Sequence, residues 1–115
     1  MEYDVFKIEV YIPYDNIQDL REELNKIGAL TIGGNYDNCM YMSKGMGCFR
    51  PLKGADPFKG EVGKLFREEE YKIEFGCKRE LVKKAVETIN RVHPYEEPVI
   101  NIVPILTRYD VDYKI

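Results

Sequence analysis

The first clear pattern along the chain is an alternation of apolar and polar residues from Val5 to Ile12. Every second position is apolar, and these positions are Phe6, Ile8, Val10 and Ile12. A period of two is typical of a β-strand that buries one face. Because Pro13 has no amide to donate to a sheet, the strand should end there. We predict a half-buried first strand.

Helical spacing replaces the alternation after Pro13. Asp15 and Gln18 have the spacing of a capping box, in which two side chains satisfy the free amides of a new helix. An apolar stripe follows, formed by Ile17, Leu20, Leu24 and Ile27. Gly28 is placed to adopt the left-handed conformation that ends many helices. The pattern predicts a first helix that ends at Gly28.

Two further strands are expected in the middle of the chain. Residues 35–43, NYDNCMYMS, read as a second strand because tyrosine favours extended structure. In the third strand, Tyr71, Ile73 and Phe75 alternate with charged residues. Residues 44–64 between them are rich in glycine and proline, which predicts a long, partly ordered hairpin loop. The glutamates at 68–70 are interpreted as a solvated run before the third strand.

The last third of the chain predicts one helix and one strand. Residues 79–92 carry an apolar stripe of Val82, Ala85, Val86, Ile89 and Val92. Pro94 disfavours helical geometry at the residue before it, so the helix should end at His93. Residues 99–106, VINIVPIL, are rich in β-branched residues and predict the last strand. The tail, residues 107–115, is expected either to add a short edge strand or to hang loose.

The order strand, helix, strand, strand, helix, strand predicts an α+β fold. Both helices carry one apolar stripe, so they should cover one face of a four-stranded antiparallel sheet, as in a ferredoxin-like βαββαβ sandwich. Residues 1–115 are expected to form one domain, with a core at about 4–106. The uncovered face should carry a mixed apolar surface, which invites another copy of the chain. Its apolar members are Val5, Tyr11, Val99 and Val103.

Composition excludes several classes of function. A net charge of −3 gives no long-range attraction for nucleic acid. No apolar run approaches the ~20 residues that a membrane helix needs. The start, MEYDVFKIEV, lacks the basic end and apolar stretch of a signal peptide. Three cysteines without CxxC spacing suit reduced thiols. We therefore expect a cytoplasmic protein.

The densest group of chemically active side chains is HPYEEP, residues 93–98. One interpretation is structural, with His93 closing a helix, Tyr95 packing over the sheet edge, and Glu96 and Glu97 solvated. The other is a binding corner in which His93 contacts a metal or an anion. Transition metals usually need three or four ligands, and no second ligand is supplied locally. A divalent metal is thus a possible cofactor, completed by residues from elsewhere.

Catalysis is not expected from these residues. No nucleophile elbow of the G-x-S-x-G type occurs in the sequence. Glu96 and Glu97 are adjacent on an extended segment, so their carboxylates should point to opposite sides. The loop at 45–63 lacks the P-loop pattern. Its basic residues Arg50, Lys53 and Lys59 could still meet an anion beside the exposed amides of tight turns.

Three stretches together resemble a known family. They are IGGNYDNC at 32–39, GCFRPLKGADPFKGEVGKL at 47–65 and RVHPYEEPVINIVPI at 91–105. They look like the domain inserted in NGG-interacting-factor-three-like (YqfO-type) proteins, which is similar to CutA and PII proteins. The resemblance implies a homotrimer with clefts between subunits. The dinuclear metal ligands of that family reside in two flanking halves, which this sequence does not contain, so hydrolase activity is not carried over.

The CutA and PII resemblances bear on the candidate sites. His93 matches a histidine proposed as a copper ligand in CutA. The CutA cysteine at the end of the first strand has no counterpart at 11–13, where this chain reads YIP, and Val99 stands where CutA commonly has an acid. In PII proteins the loop between strands two and three contacts partners, and residues 45–63 occupy that position.

The sequence therefore predicts a non-catalytic, trimeric binding or regulatory module. It would recognise a small ligand or a protein partner at clefts between subunits, near the 45–63 loop and the HPYEEP corner. Divalent metal binding through His93, with a thiol or carboxylate of a neighbouring subunit, is the first alternative. A purely structural assembly domain is the second.

Overall fold

The computed structural model describes residues 2–114, which form a sheet with helices on one face. The strands are β1 (Val5–Ile12), β2 (Tyr41–Phe49), β3 (Phe66–Lys78) and β4 (Ile100–Ile105). The helices are α1 (Ile17–Lys26), α2 (Val82–Val92) and a short α3 (Val111–Lys114). All strand pairs are antiparallel, in the order β2-β3-β1-β4. The predicted ferredoxin-like α+β fold is confirmed.

The core lies between the sheet and the two long helices. Leu20 and Leu24 of α1 and Ile89 of α2 are fully buried against the apolar positions of β1 and β3. Burial of each such side chain contributes about 1.5–3 kcal/mol. Both helices therefore cover the same face, as the two apolar stripes predicted.

The start of α1 differs from the prediction, whereas its end agrees. A 3-10 turn at Tyr14–Asn16 precedes the helix, and its cap residue makes no side-chain hydrogen bond. The predicted capping box at Asp15 and Gln18 is therefore wrong, because the amide of Asn16 donates to Pro13 O at 3.1 Å and the backbone itself forms the turn. Gly28 has φ +80°, the left-handed conformation expected of it.

The hairpin between β2 and β3 is longer than predicted. The second strand begins at Tyr41, not at residue 35, and continues to Phe49, while β3 begins at Phe66. The first six residues of the predicted loop at 44–64 are thus paired strand, and the connecting segment is residues 50–65. Gly47 lies inside the predicted loop but belongs to β2. Its lack of a side chain lets the Glu70 carboxylate lie close, since a Cβ at this position would clash with Glu70 Oε1.

The end of the chain and one residue of the open face also differ. Residues 108–114 form a 3-10 turn and α3, capped by Thr107 and Asp110, so neither the edge strand nor the loose tail that the sequence left open is correct for them. Val5 is buried at 8% exposure, because Gly76 leaves a space that Val5 and Ile32 line. Tyr11 is half-buried. Val99 and Val103 are exposed on the open face, as predicted.

Replacement of Ile89 by Ala should destabilise the fold by about 2–5 kcal/mol, because it leaves a cavity between α2 and the sheet. Urea denaturation followed by circular dichroism measures this change. Lys84→Ala is the matched control, since Lys84 is exposed on the same helix and should change stability by less than about 0.5 kcal/mol. Equal effects of both substitutions would contradict the assignment of the core.

Candidate functional site

A cavity of about 770 Å³ lies between the 50–65 segment and the HPYEEP corner. Tyr11, near the end of β1, also lines it, so the cavity opens on the sheet face that the helices leave free. Six of the seven side chains predicted as ligand-binding candidates line this one space. They are Arg50, Lys53, Lys59, Tyr95, Glu96 and Glu97.

Contacts between the two segments shape the cavity. The amide of Asp56 donates to Glu96 Oε1 at 3.0 Å, which joins residues forty positions apart. The Phe58 ring lies 6.3 Å from the Tyr95 ring, centroid to centroid. The 50–65 segment is therefore held against the corner by one hydrogen bond to a carboxylate and by one aromatic contact.

His93, the seventh candidate, lies behind the cavity wall. Pro94 ends α2 there, and the imidazole is 6% exposed. Its Nδ1 accepts from the Tyr95 amide at 3.1 Å, so the ring proton is on Nε2, which donates to Tyr11 O at 2.6 Å. Burial lowers the pKa of His93 below its ordinary 6.5, which keeps the ring neutral. The geometry is that of a structural tie between α2 and β1.

The geometry gives little support to a metal at His93. Both ring nitrogens have hydrogen-bond partners, so a metal ligand role would require His93 to give up one of them. Among residues 2–114, no group of three or more His, Cys, Asp or Glu side chains could hold a metal ion. Metal binding through His93 stays a prediction.

The Tyr95 hydroxyl contacts the carboxylate of Glu70, one of the three glutamates predicted to be solvated. It donates to Glu70 Oε2 at 3.3 Å. Burial and the charges of Glu70 and Glu68 raise the pKa of Tyr95 to about 12, so the phenol is neutral at pH 7. Glu68 of β3 pairs with Gly47 of β2, and Glu70 pairs with Gly45, so both glutamates lie on the same face of β3. The alternation of Glu68 and Glu70 along the chain is the sequence signal that both lie on one face of a strand. This signal can be recognised only when β3 is known to begin at Phe66.

The basic residues of the cavity differ in their partners. Lys59 is paired with Glu68, so its charge is largely neutralised. Arg50 and Lys53 are exposed, and neither forms an ion pair with another described residue. The Glu97 carboxylate lines the same cavity and has no ion-pair or hydrogen-bond partner among the side chains described, residues 2–112. The cavity therefore offers two cations and one carboxylate that a ligand could engage.

Comparison with known proteins establishes the class of the fold. CutA1 from Ehrlichia chaffeensis superposes with a TM-score of 0.67 at 15% identity, covering 97% of this chain and 92% of that one. The Bacillus subtilis GlnK–ATP complex superposes with a TM-score of 0.60 at 22% identity, covering 90% and 84%. At these identities the likeness concerns the fold alone. The chain has the CutA and PII type of ferredoxin-like fold.

Closer relatives define the family resemblance. The GTP cyclohydrolase 1 type 2 homolog of Halalkalibacterium halodurans is 39% identical over 101 residues, 88% of this chain and 27% of that protein. A Bacillus cereus protein related to NIF3 superposes with a TM-score of 0.77 at 31% identity, covering 91% and 26%. No family model matches the chain. The resemblance to the CutA-like and PII-like domain of NGG-interacting-factor-three-like proteins is thereby confirmed, over about a quarter of their length.

Glu96→Ala should release the 50–65 segment from the corner, because the Asp56 amide loses its acceptor. We expect faster hydrogen exchange at Asp56, measured by NMR, with a change in global stability of about 1 kcal/mol or less. Glu97→Ala is the matched control, since its carboxylate has no such contact. If both variants leave the exchange of Asp56 unchanged, Glu96 does not hold the segment.

The stability of the protein should depend on His93 protonation. Since the folded-state pKa lies below 6.5, the unfolded chain binds the proton more readily, and the free energy of unfolding should fall as pH decreases below 6.5. Urea midpoints between about pH 7.5 and 5.5 measure this slope. His93→Gln should flatten it, because the chain has one histidine. An unchanged slope in the variant would assign it to other groups.

Proposed function

We propose that the chain is a non-catalytic, self-associating binding or regulatory module that holds a small anionic ligand in this cavity. The observation that carries the proposal is the pair of cations, Arg50 and Lys53, which line a concave space without ion-pair partners among the described residues. A cytoplasmic location is part of the same proposal. Within residues 2–114 no helix is long and apolar enough to span a membrane.

The lining indicates the kind of ligand. Small-molecule cavities commonly measure about 300–1,000 Å³ and combine apolar walls with a few polar groups. Here Phe58 and Tyr95 supply aromatic surface, and Arg50 and Lys53 supply positive charge. A molecule with an anionic group and a flat or apolar part would satisfy both. GlnK, which shares the fold, has been solved as an ATP complex, which supports testing a nucleotide first.

Self-association would complete the site. Val99 and Leu52 line the cavity yet are 55% and 65% exposed, so one side of the space is open in the single chain. A neighbouring copy could cover these side chains, consistent with the trimer that the CutA and PII resemblance implies. A ligand or a protein partner would then be recognised at the cleft between copies.

In the proposed function the site binds a ligand and does not catalyse a reaction. Both ring nitrogens of His93 are hydrogen-bonded to backbone groups, and the neutral Tyr95 phenol is hydrogen-bonded to Glu70. Neither group is available as a general base in this arrangement. The function of the site would then be recognition, with the 50–65 segment reporting occupancy to a partner.

ATP or inorganic phosphate should raise the midpoint of thermal unfolding in a concentration-dependent manner, because a ligand of the folded state stabilises it. The double variant Arg50→Ala, Lys53→Ala should bind at least about tenfold more weakly, since two charged contacts are lost. Arg67→Ala is the control, because Arg67 is exposed on β3 but does not line the cavity.

The outcomes separate the competing functions. Equal binding by the double variant and by the wild type would place the anion elsewhere. A response to divalent copper that His93→Ala abolishes would favour the metal alternative. No response to ATP, phosphate or metal would overturn the anion proposal.

A further inference from the structure

The cavity of the candidate site carries as many carboxylates as cations. Three cations and three carboxylates line it, and they are Arg50, Lys53, Lys59, Glu70, Glu96 and Glu97. A ligand with negative charge alone would be attracted by one part of this lining and repelled by another. The balance of charge therefore favours a ligand that also carries a positive group.

Negative charge is in excess where β3 borders the cavity. Glu68 and Glu70 lie two positions apart on one face of β3, and the ammonium of Lys59 pairs with Glu68. Glu70 accepts a hydrogen bond from the neutral Tyr95 phenol. It forms no ion pair with the side chains described, residues 2–112. This end of the cavity thus holds one more carboxylate than ammonium.

A buried oxygen of Glu68 indicates the same shortage of donors. Glu68 Oε1 is paired with Lys59, but Glu68 Oε2 is buried and has no hydrogen-bond partner among residues 2–112. Buried carboxylate oxygens in folded proteins usually have a donor, because leaving one without a partner is costly. Glu68 lies behind Lys59, which lines the cavity. The two carboxylates together lack both a donor and a positive charge.

Aromatic rings beside Glu70 suit an ammonium group. The Phe58 and Tyr95 rings lie 6.3 Å apart, centroid to centroid, and Lys59 Nζ lies 5.9 Å from the Phe58 centroid. The face of an aromatic ring attracts a cation. Lys59 therefore shows an ammonium held by a carboxylate and a ring at this place. Glu70 and Tyr95 offer the same two kinds of partner to a ligand.

The unpaired cations lie further along the hairpin. Glu70 pairs with Gly45, whereas Arg50 follows Phe49 at the end of β2. Arg50 is five positions after Gly45, which corresponds to about 17 Å of extended backbone. Side chains that reach into the cavity shorten this span. A ligand that engages both ends therefore needs a spacer between its two charges.

We propose that the cavity binds a small zwitterion, a molecule with an ammonium group at one end and a carboxylate or phosphate at the other. The ammonium lies against Glu70 and Tyr95, and the anionic group lies at Arg50 and Lys53. The inference rests on the proposed function, which supplies the anionic end, and adds the cationic end that the ligand must carry. A purely anionic ligand would leave Glu70 without a counter-charge.

Straight-chain amino acids with a terminal amine test the inference on the wild-type protein. Aminohexanoate is compared with hexanoate, which lacks the ammonium, and with hexylamine, which lacks the carboxylate. NMR titration measures the three dissociation constants. Aminohexanoate should bind at least about tenfold more tightly than either analogue, because it gains a charged contact that each analogue lacks. Aminobutanoate and aminooctanoate, with their own analogues, vary the spacer.

A charge-removing variant tests the position of the ammonium. Glu70→Gln keeps an acceptor for the Tyr95 hydroxyl but removes the negative charge. It should abolish the preference for the zwitterion over hexanoate without weakening the binding of hexanoate. Glu61→Gln is the matched control and should keep the preference, since Glu61 pairs with Lys64 in the same segment and does not line the cavity.

The outcomes distinguish this inference from the proposed function. Anion binding that depends on Arg50 and Lys53, without preference for any of the three zwitterions, would overturn the inference and leave the proposed function standing. A preference that survives Glu70→Gln would place the ammonium elsewhere and overturn the inference as well. Failure of ATP, phosphate, hexanoate and all three zwitterions to bind would overturn both.

Discussion

The geometry of the candidate site depends on the two hydrogen bonds made by the buried His93 ring. One fixes the end of α2 on Tyr11 near the end of β1, and the other fixes the backbone of Tyr95. The residues that follow then have a defined position, from which Glu96 holds the 50–65 segment through Asp56. A neutral imidazole with each nitrogen in a definite role thus supports a cavity that it does not line.

Much of the fold could be predicted, because an element that buries one face has apolar residues at regular intervals in the sequence. The alternation of β1 and the stripe of α2 are direct records of one buried face each. The β2–β3 hairpin was misjudged because Gly47 has no side chain to show which way it faces, and glycine serves turns and close contacts alike. The local sequence pattern could not predict that Arg50 and Glu97 line one cavity, because their proximity depends on how two distant segments pack together.

Binding and assembly would be linked on the open face. Tyr11 of β1 pairs with Lys72 of β3 on the open face, and Tyr11 also lines the cavity. A neighbouring copy that covers this face would therefore come close to the mouth of the cavity. Under the proposed function, a ligand that prefers the covered cavity must also favour association, because the two equilibria share the same surface.

The position of β1 in the sheet has a consequence for how the chain is made. Val5 pairs with Lys78 on one side and with Ile105 on the other, so the first strand to be synthesised lies between the last two. Such distant pairings are slow to form, because a long loop must close before any contact rewards it. During synthesis on a ribosome, both hydrogen-bonding edges of β1 would therefore stay unpaired until β3 has emerged.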